Sequence, residues 1–128
     1  MNTGLILFAH GARDPRWAAP FEAVAAQVRA AQPSVQVRLA FLELMAPSLP
    51  DTGAELAALG CERVDVLPLF LGAGGHVRRD LPALLDGLRQ AFPAVQFRLH
   101  HAAGETAPVI HALALAALDA LAAPEAAA

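Results

Sequence analysis

Lysine and tyrosine are absent from this 128-residue sequence, and cysteine occurs once. All nine basic side chains are arginine, and against twelve acidic residues they leave a formal charge of −3. That balance excludes the broad basic surface that grips a nucleic acid backbone, so no nucleic-acid partner is expected. The lone Cys61 excludes an internal disulfide and any multi-cysteine metal cluster. Charged residues are only 16% of the chain and hydrophobic residues 56%, the opposite of a disordered composition. Long apolar runs are missing as well. The most apolar stretch, residues 110–123, is interrupted by His111 and Asp119. Nothing approaches the roughly 18–20 residues of a spanning helix, so no membrane partner is expected. Residues 4–9 are apolar but short, with no basic residue before them, unlike a secretory signal. We therefore expect a cytoplasmic protein in which residues 1–128 form a single domain, fraying from about residue 124.

What is present is an alternation of short apolar runs with helical patterns. Residues 4–9 (GLILFA) read as a strand buried on both faces. Pro15 to Gln32 follows as a helix with Phe21, Val24, Val28 and Ala31 on its apolar face. Val35, Val37, Leu39 and Phe41 alternate with Gln36, Arg38 and Ala40, which predicts a strand with one wet face. Pro47 opens a helix carrying Leu49, Leu56 and Leu59, and Gly60 stops it. Residues 63–71 (RVDVLPLFL) form a third strand, whose ladder should fade at Pro68. After a glycine-rich turn, a helix opening at Leu81–Pro82, with Asp80 as its cap, carries Leu84, Leu85, Leu88 and Phe92. Val95, Phe97 and Leu99 alternate with polar residues in a fourth strand. A last helix, from about Thr106 to Ala122, should bury Ile110, Leu113, Ala117, Leu118 and Leu121.

This (βα)₄ order predicts an α/β fold: one four-stranded parallel sheet flanked by helices. Strands one and three are nearly all apolar and belong in the middle; strands two and four alternate and belong at the edges. The order 2-1-3-4 follows, a flavodoxin-like arrangement with its switch point between strands one and three.

Ligands of such sheets bind beyond the carboxyl ends of the strands. His10 stands at the end of strand one, Glu43 at the end of strand two, His76 after the turn that follows strand three, and His100 and His101 at the end of strand four. His10 and His76 leave adjacent strands at one edge, where two imidazoles can share a divalent cation with Glu43 assisting. Each also has a plainer reading: a turn cap for His10, a solvated loop residue for His76, a surface carboxylate for Glu43. His100 and His101 read as a wet strand end. Gly72, Gly74 and Gly75 make neither a dinucleotide fingerprint nor a P-loop; they allow backbone to approach a large flat ligand, or form a flexible turn. Arg13, Arg78 and Arg79 flank the two histidines and suit a polycarboxylate or phosphate ligand, or pair with Asp14 and Asp80. Trp17 and Phe21 read as core, and Cys61 carries no chemistry. Three other classes stay open: a non-catalytic metal carrier, a phosphoryl-transfer enzyme with His10 as nucleophile, and a receiver-like module. Ala9 in place of an arginine before His10 counts against the second, and the lack of lysine against the third.

His10-Gly11-Ala12-Arg13, Phe41-Leu42-Glu43, Pro68-Leu69-Phe70-Leu71, Gly75-His76 and Asp80-Leu81-Pro82 together resemble the short CbiX-type sirohydrochlorin cobalto-/ferrochelatases, class II tetrapyrrole chelatases. The resemblance covers nearly the whole chain in order. It implies a chelatase-like fold and ATP-independent insertion of Co²⁺ or Fe²⁺, or Ni²⁺ in some members, into sirohydrochlorin, a polycarboxylate tetrapyrrole, in siroheme or cobalamin-type biosynthesis. It implies that His10 and His76 hold the metal with Glu43 nearby as ligand or proton acceptor. No cofactor is implied beyond the metal, which is itself a substrate. On this reading Arg13, Arg78 and Arg79 meet the acidic side chains of the macrocycle, Leu69, Phe70 and Leu71 wall one of its faces, and Gly74 and Gly75 let it approach. A homodimer is implied, because longer relatives carry two such units in one chain. The family motif commonly reads Gly-His-Gly-Ser-Arg; here Ala9 and Ala12 replace the glycine and the serine.

Overall fold

The computed structural model describes residues 1–72 and 74–125, the side chain of His76 excepted. The end of the chain, expected to fray, includes residues 126–128, outside the described residues. Strands β1 (Thr3–Ala9), β2 (Gln36–Phe41), β3 (Arg63–Pro68) and β4 (Gln96–Leu99) pair in parallel in the order β2-β1-β3-β4. Helices α1 (Ala19–Ala31), α2 (Leu49–Ala58), α3 (Gly75–Ala91) and α4 (Ala107–Ala122) follow the strands in turn. Central β1 is buried from Ile6 to Ala9 because helices cover both of its faces. Ile6 and Phe8 join Val64, Val66 and Phe97 under Leu49 and Leu56 of α2 and Leu81, Leu85 and Leu88 of α3. Leu7 and Val37 meet Ala25 of α1 on the other face. Burial of this kind removes apolar area from water at about 25 cal/mol per Å².

Several boundaries differ from the sequence reading. The first helical segment is a 3-10 turn over Pro15–Ala18, capped by Asp14, before α1 begins. Ala25 and Val28 face the sheet, whereas Val24 and Ala31 are exposed. Ala40, placed on the wet face of β2, is fully buried because α2 covers that face. Helix α2 starts at Leu49 with the Ser48 hydroxyl accepting from the Asp51 amide, so Ser48 and Pro50 open it rather than Pro47. Helix α3 starts six residues early, at Gly75. Asp80 and Pro82 therefore lie inside it, and Pro82, having no N–H, leaves the Arg78 carbonyl without its intrahelical donor.

The last helix departs furthest. No residue of α4 is buried, and Ile110, Leu113, Leu118 and Leu121 are 50–84% exposed. Its apolar stripe has the expected period but stays on the surface. On the α1 side of β3 and β4 stands a polar strip instead. Asp65 and Arg98 are register partners on the two strands. The Asp65 carboxylate accepts from Arg98 Nε at 2.6 Å, from His100 Nε2 at 2.8 Å and from Arg63 Nε at 3.1 Å. Burial is the largest single influence on this carboxyl and opposes its charge. The hydrogen bonds from Arg98 and His100 and the charges of Arg98 and Arg63 outweigh burial and hold it below the usual carboxylate range. Cys61 is a buried free thiol at the opposite edge of the sheet, its pKa pushed up by burial.

Beyond the strands the backbone ladder continues at the carboxyl edge. Leu42 N donates to Ala9 O at 2.9 Å, Glu43 N to His10 O at 3.1 Å, and Leu69 N to Phe8 O at 2.7 Å. Gly11 sits in this zipper at φ +94°, and a Cβ there would lie 1.8 Å from the Glu43 carbonyl oxygen. Both facts demand glycine.

Two outcomes follow from these contacts. Asp65→Asn should lower the unfolding free energy by about 2 kcal/mol at neutral pH in urea titrations. The ionised carboxylate supplies that stability, so the deficit should be complete above its ordinary titration range. It should vanish as pH falls through the lowered folded value; equal midpoints at neutral pH would refute the network. Gly11→Ala should cost more than about 1 kcal/mol from its backbone angle alone, with the clash added. An unchanged melting temperature would show that residues 11 and 43 do not meet.

Candidate functional site

The carboxyl edge of β1 and β3 gathers the chemistry. His10 follows β1 directly and is exposed. Its ring lies 4.8 Å from that of Phe70, tilted by 40°. Phe70 is buried edge-on against Phe8 at 5.9 Å, so a core aromatic backs the imidazole. The backbone hydrogen bond between residues 10 and 43 brings Glu43 beside His10. Glu43 is exposed. The next residue, Leu44, holds φ 65°, a left-handed conformation unfavourable to a side chain with a Cβ.

His76 is the second residue of α3, so it stands on a helix rather than in a loop. Its side chain lies outside the described residues, and the expected grip of His10 and His76 on one ion rests on the backbone alone. The parallel pairing of β1 with β3 delivers both segments to the same edge. No group of three His, Cys, Asp or Glu side chains able to hold a metal occurs among the described residues; His10 and Glu43 are the ligand pair that remains there.

The cationic residues spread along this edge. Arg13 is exposed, two residues past Gly11. Arg78 and Arg79 belong to the first turns of α3, a helix capped by Gly74 with no acidic residue in its first turn. Asp14 pairs with Arg16 at 2.9 Å, not with Arg79. A Cβ added to Gly74 or Gly75 would meet nothing within 4 Å. Packing therefore does not demand these glycines, and they leave open space at the edge. Leu69, Phe70 and Leu71 line one groove but differ in their other contacts. Phe70 turns toward His10; Leu69 packs toward α1, and Leu71 is 72% exposed. Trp17 and Phe21 stack at 4.7 Å and pack with Ala9, Ala18 and Phe41 as core.

Two features went unread in the sequence. One is the carboxylate–imidazole contact of Asp65 with His100, whose available signal was a single charge inside the apolar run VDVLP. The other is Glu105, on a 3-10 turn (Ala103–Glu105), 3.5 Å from Arg78 across the mouth of a cavity of about 510 Å³. No local pattern marks Glu105; the turn reaches α3 only because Gly104 packs its backbone on Leu71 and donates to Phe70 O at 2.8 Å.

Residues 4–120 match the CbiX family. The sirohydrochlorin cobaltochelatase of Methanothermobacter thermautotrophicus is 33% identical over 82 residues, 64% of this chain and 57% of that protein. The chain thus spans less than two thirds of the length of the curated relatives it matches. A solved cobalamin (vitamin B12) biosynthesis CbiX protein from Marinobacter aquaeolei is 32% identical, with a TM-score of 0.81 over 93% of this chain and 97% of that one. The sirohydrochlorin chelatase SirB of Bacillus subtilis, solved with cobalt, shares the fold at 20% identity and a TM-score of 0.79, this chain covering 51% of it. A match over residues 4–120, running from the first strand into the last helix, makes this chain a member of the CbiX family.

Proposed function

We propose that this protein is a sirohydrochlorin chelatase, inserting Co²⁺ or Fe²⁺, and by ligand type also Ni²⁺, into the macrocycle without ATP. The observation that carries the reading is the meeting of His10 and Glu43 on the open edge from which α3, bearing His76, departs. Metallation exchanges two pyrrole N–H protons for one divalent ion. A protein that performs it must shed water from the ion, present it to one face of the ring, and take up protons. Neutral imidazoles of His10 and His76 hold the ion through nitrogen and leave positions for the macrocycle; a closed four-ligand cage would retain it. Glu43, exposed beside His10, serves as further ligand or as acceptor of a pyrrole proton. Arg13, Arg78 and Arg79 give the edge the positive charge that carboxylate arms require.

The protein is proposed to act as a homodimer. Five large side chains of α4 lie on the surface, and half-burying each contributes about 1 kcal/mol. Beside the helix base runs an apolar groove of about 350 Å³ that includes Phe21, Val24, Leu69 and Leu71. Helix and groove match in chemistry, and a second copy supplies each with the other. The twofold length of SirB, of which this chain covers 51%, leaves room for a second unit on one polypeptide. A cytoplasmic location is part of the same reading: no helix among the described residues is long and apolar enough to cross a membrane, and Cys61 remains a free thiol.

Following sirohydrochlorin absorbance with each metal in turn tests the activity. The protein should exceed the uncatalysed rate, and His10→Ala or His76→Ala should lower that excess by about 100-fold or more with circular dichroism unchanged. Cobalt binding without rate enhancement would leave a carrier, not a chelatase. In light scattering the protein should have twice its chain mass, and Leu113→Glu with Leu118→Glu should halve it. A monomeric wild type would overturn the dimer.

A further inference from the structure

The cavity beside the metallation edge shares Arg78 with the reading above, which leaves its apolar floor and Glu105 unused. It lies between the start of α3 and the end of β4, and shares Phe70 with His10. Its floor is apolar, from Pro68, Phe70, Leu81 and Leu99. Its rim carries Arg78, His101 and Glu105. Three of these facts bear on a ligand. Arg78 is 68% exposed in its side chain and makes one ion pair, at 3.5 Å to Glu105, a separation too long for a strong hydrogen bond and readily exchanged. His101 is exposed and has no hydrogen bond or ion pair among the described residues. His100 is already committed to Asp65 and does not compete. An apolar pocket with a loosely held guanidinium and an unengaged imidazole at its mouth fits an aliphatic carboxylate: methylenes below, charge above.

Resting on the chelatase reading, we infer that this cavity receives one acidic arm of the tetrapyrrole, and that Glu105 stands in for that arm's carboxylate until the arm displaces it from Arg78. Glu105 is then a specificity-determining residue that never touches the metal. Its carboxylate keeps Arg78 oriented toward the mouth in the empty protein, and it must be exchanged, carboxylate for carboxylate, when the ligand enters. An arm anchored beside Phe70 fixes the rotation of the ring in its plane, and the pyrrole nitrogens then lie over the His10 side of the edge. A neutral arm, or an arm too short to reach past Phe70, gains nothing from the exchange.

The test is a double-mutant cycle read by fluorescence titration of metal-free sirohydrochlorin, with no metal added and no turnover. Glu105→Gln should tighten binding about threefold to tenfold, because the competitor is gone. Arg78→Ala should weaken binding by a similar factor. In the Arg78→Ala background, Glu105→Gln should change nothing, because the competition exists only through Arg78. The octamethyl ester of sirohydrochlorin should show no response to Glu105→Gln. Equal tightening in both backgrounds would reduce Glu105 to a general repulsive charge and overturn the inference, as would no tightening in either. If the wild type itself fails to bind sirohydrochlorin, the chelatase reading falls first and takes this inference with it, an outcome distinct from a flat cycle.

Discussion

The carboxyl edge is held by main chain rather than by side chains. Carbonyls of Phe8, Ala9 and His10 are taken by amides of Leu69, Leu42 and Glu43, so the ladder outlasts the strands and joins β1 to both neighbours. Gly11 lets the strand-two extension pass within contact of this turn. Side chains at positions 10, 43 and 70 thereby inherit fixed relative positions without needing to touch one another's polar atoms. Such a frame suits the proposed site, whose ion would leave with the product. Side-chain hydrogen bonds that locked His10 or Glu43 would compete with the metal, whereas backbone bonds leave all their ligand atoms available.

The fold was legible because burial on two faces and on one face write different patterns. GLILFA has no polar position to spare, and QVRLAF alternates, so strand order could be read from the number of wet faces before any tertiary contact was known. Boundaries were less legible. α3 begins at Gly75 although Gly74, Gly75 and Pro82 all disfavour helix, because Val77 and Leu81 are buried against the sheet and that burial outweighs propensity. The residues of the edge were legible as types, since imidazoles and carboxylates at strand ends stand out. Their contacts were not. Neither the approach of Glu105 to Arg78 nor the role of Gly104 leaves a trace in local sequence, because both depend on how a loop folds back over Leu71.

α4 illustrates a limit of periodicity. A stripe of Ile110, Leu113, Ala117, Leu118 and Leu121 shows that a helix has an apolar face, not whose surface will cover it. The strand that might have received it instead carries Asp65, with Arg63, Arg98 and His100 arranged around one carboxylate. α4 carries Asp119 as its one acidic residue and leaves that apolar face on the surface.

Charge is distributed with a comparable economy. The chain is acidic overall, yet Arg13, Arg78 and Arg79 stand along the described edge, and Glu105 lies 3.5 Å from Arg78. The repulsion between an acidic protein and a polycarboxylate is largely screened beyond about one Debye length, so binding is decided at contact. Contact is where an arginine differs from a diffuse field: its planar fork distinguishes a carboxylate from water and holds it in a direction. On the proposed function, that fork beside an apolar cavity of about 510 Å³ selects a ligand by the reach of its arm as well as by its charge. On the proposed function α3 carries His76 as well as Arg78 and Arg79, while His10 and Glu43 stand at the ends of β1 and β2, so capture of the ion and orientation of the ring meet on one helix.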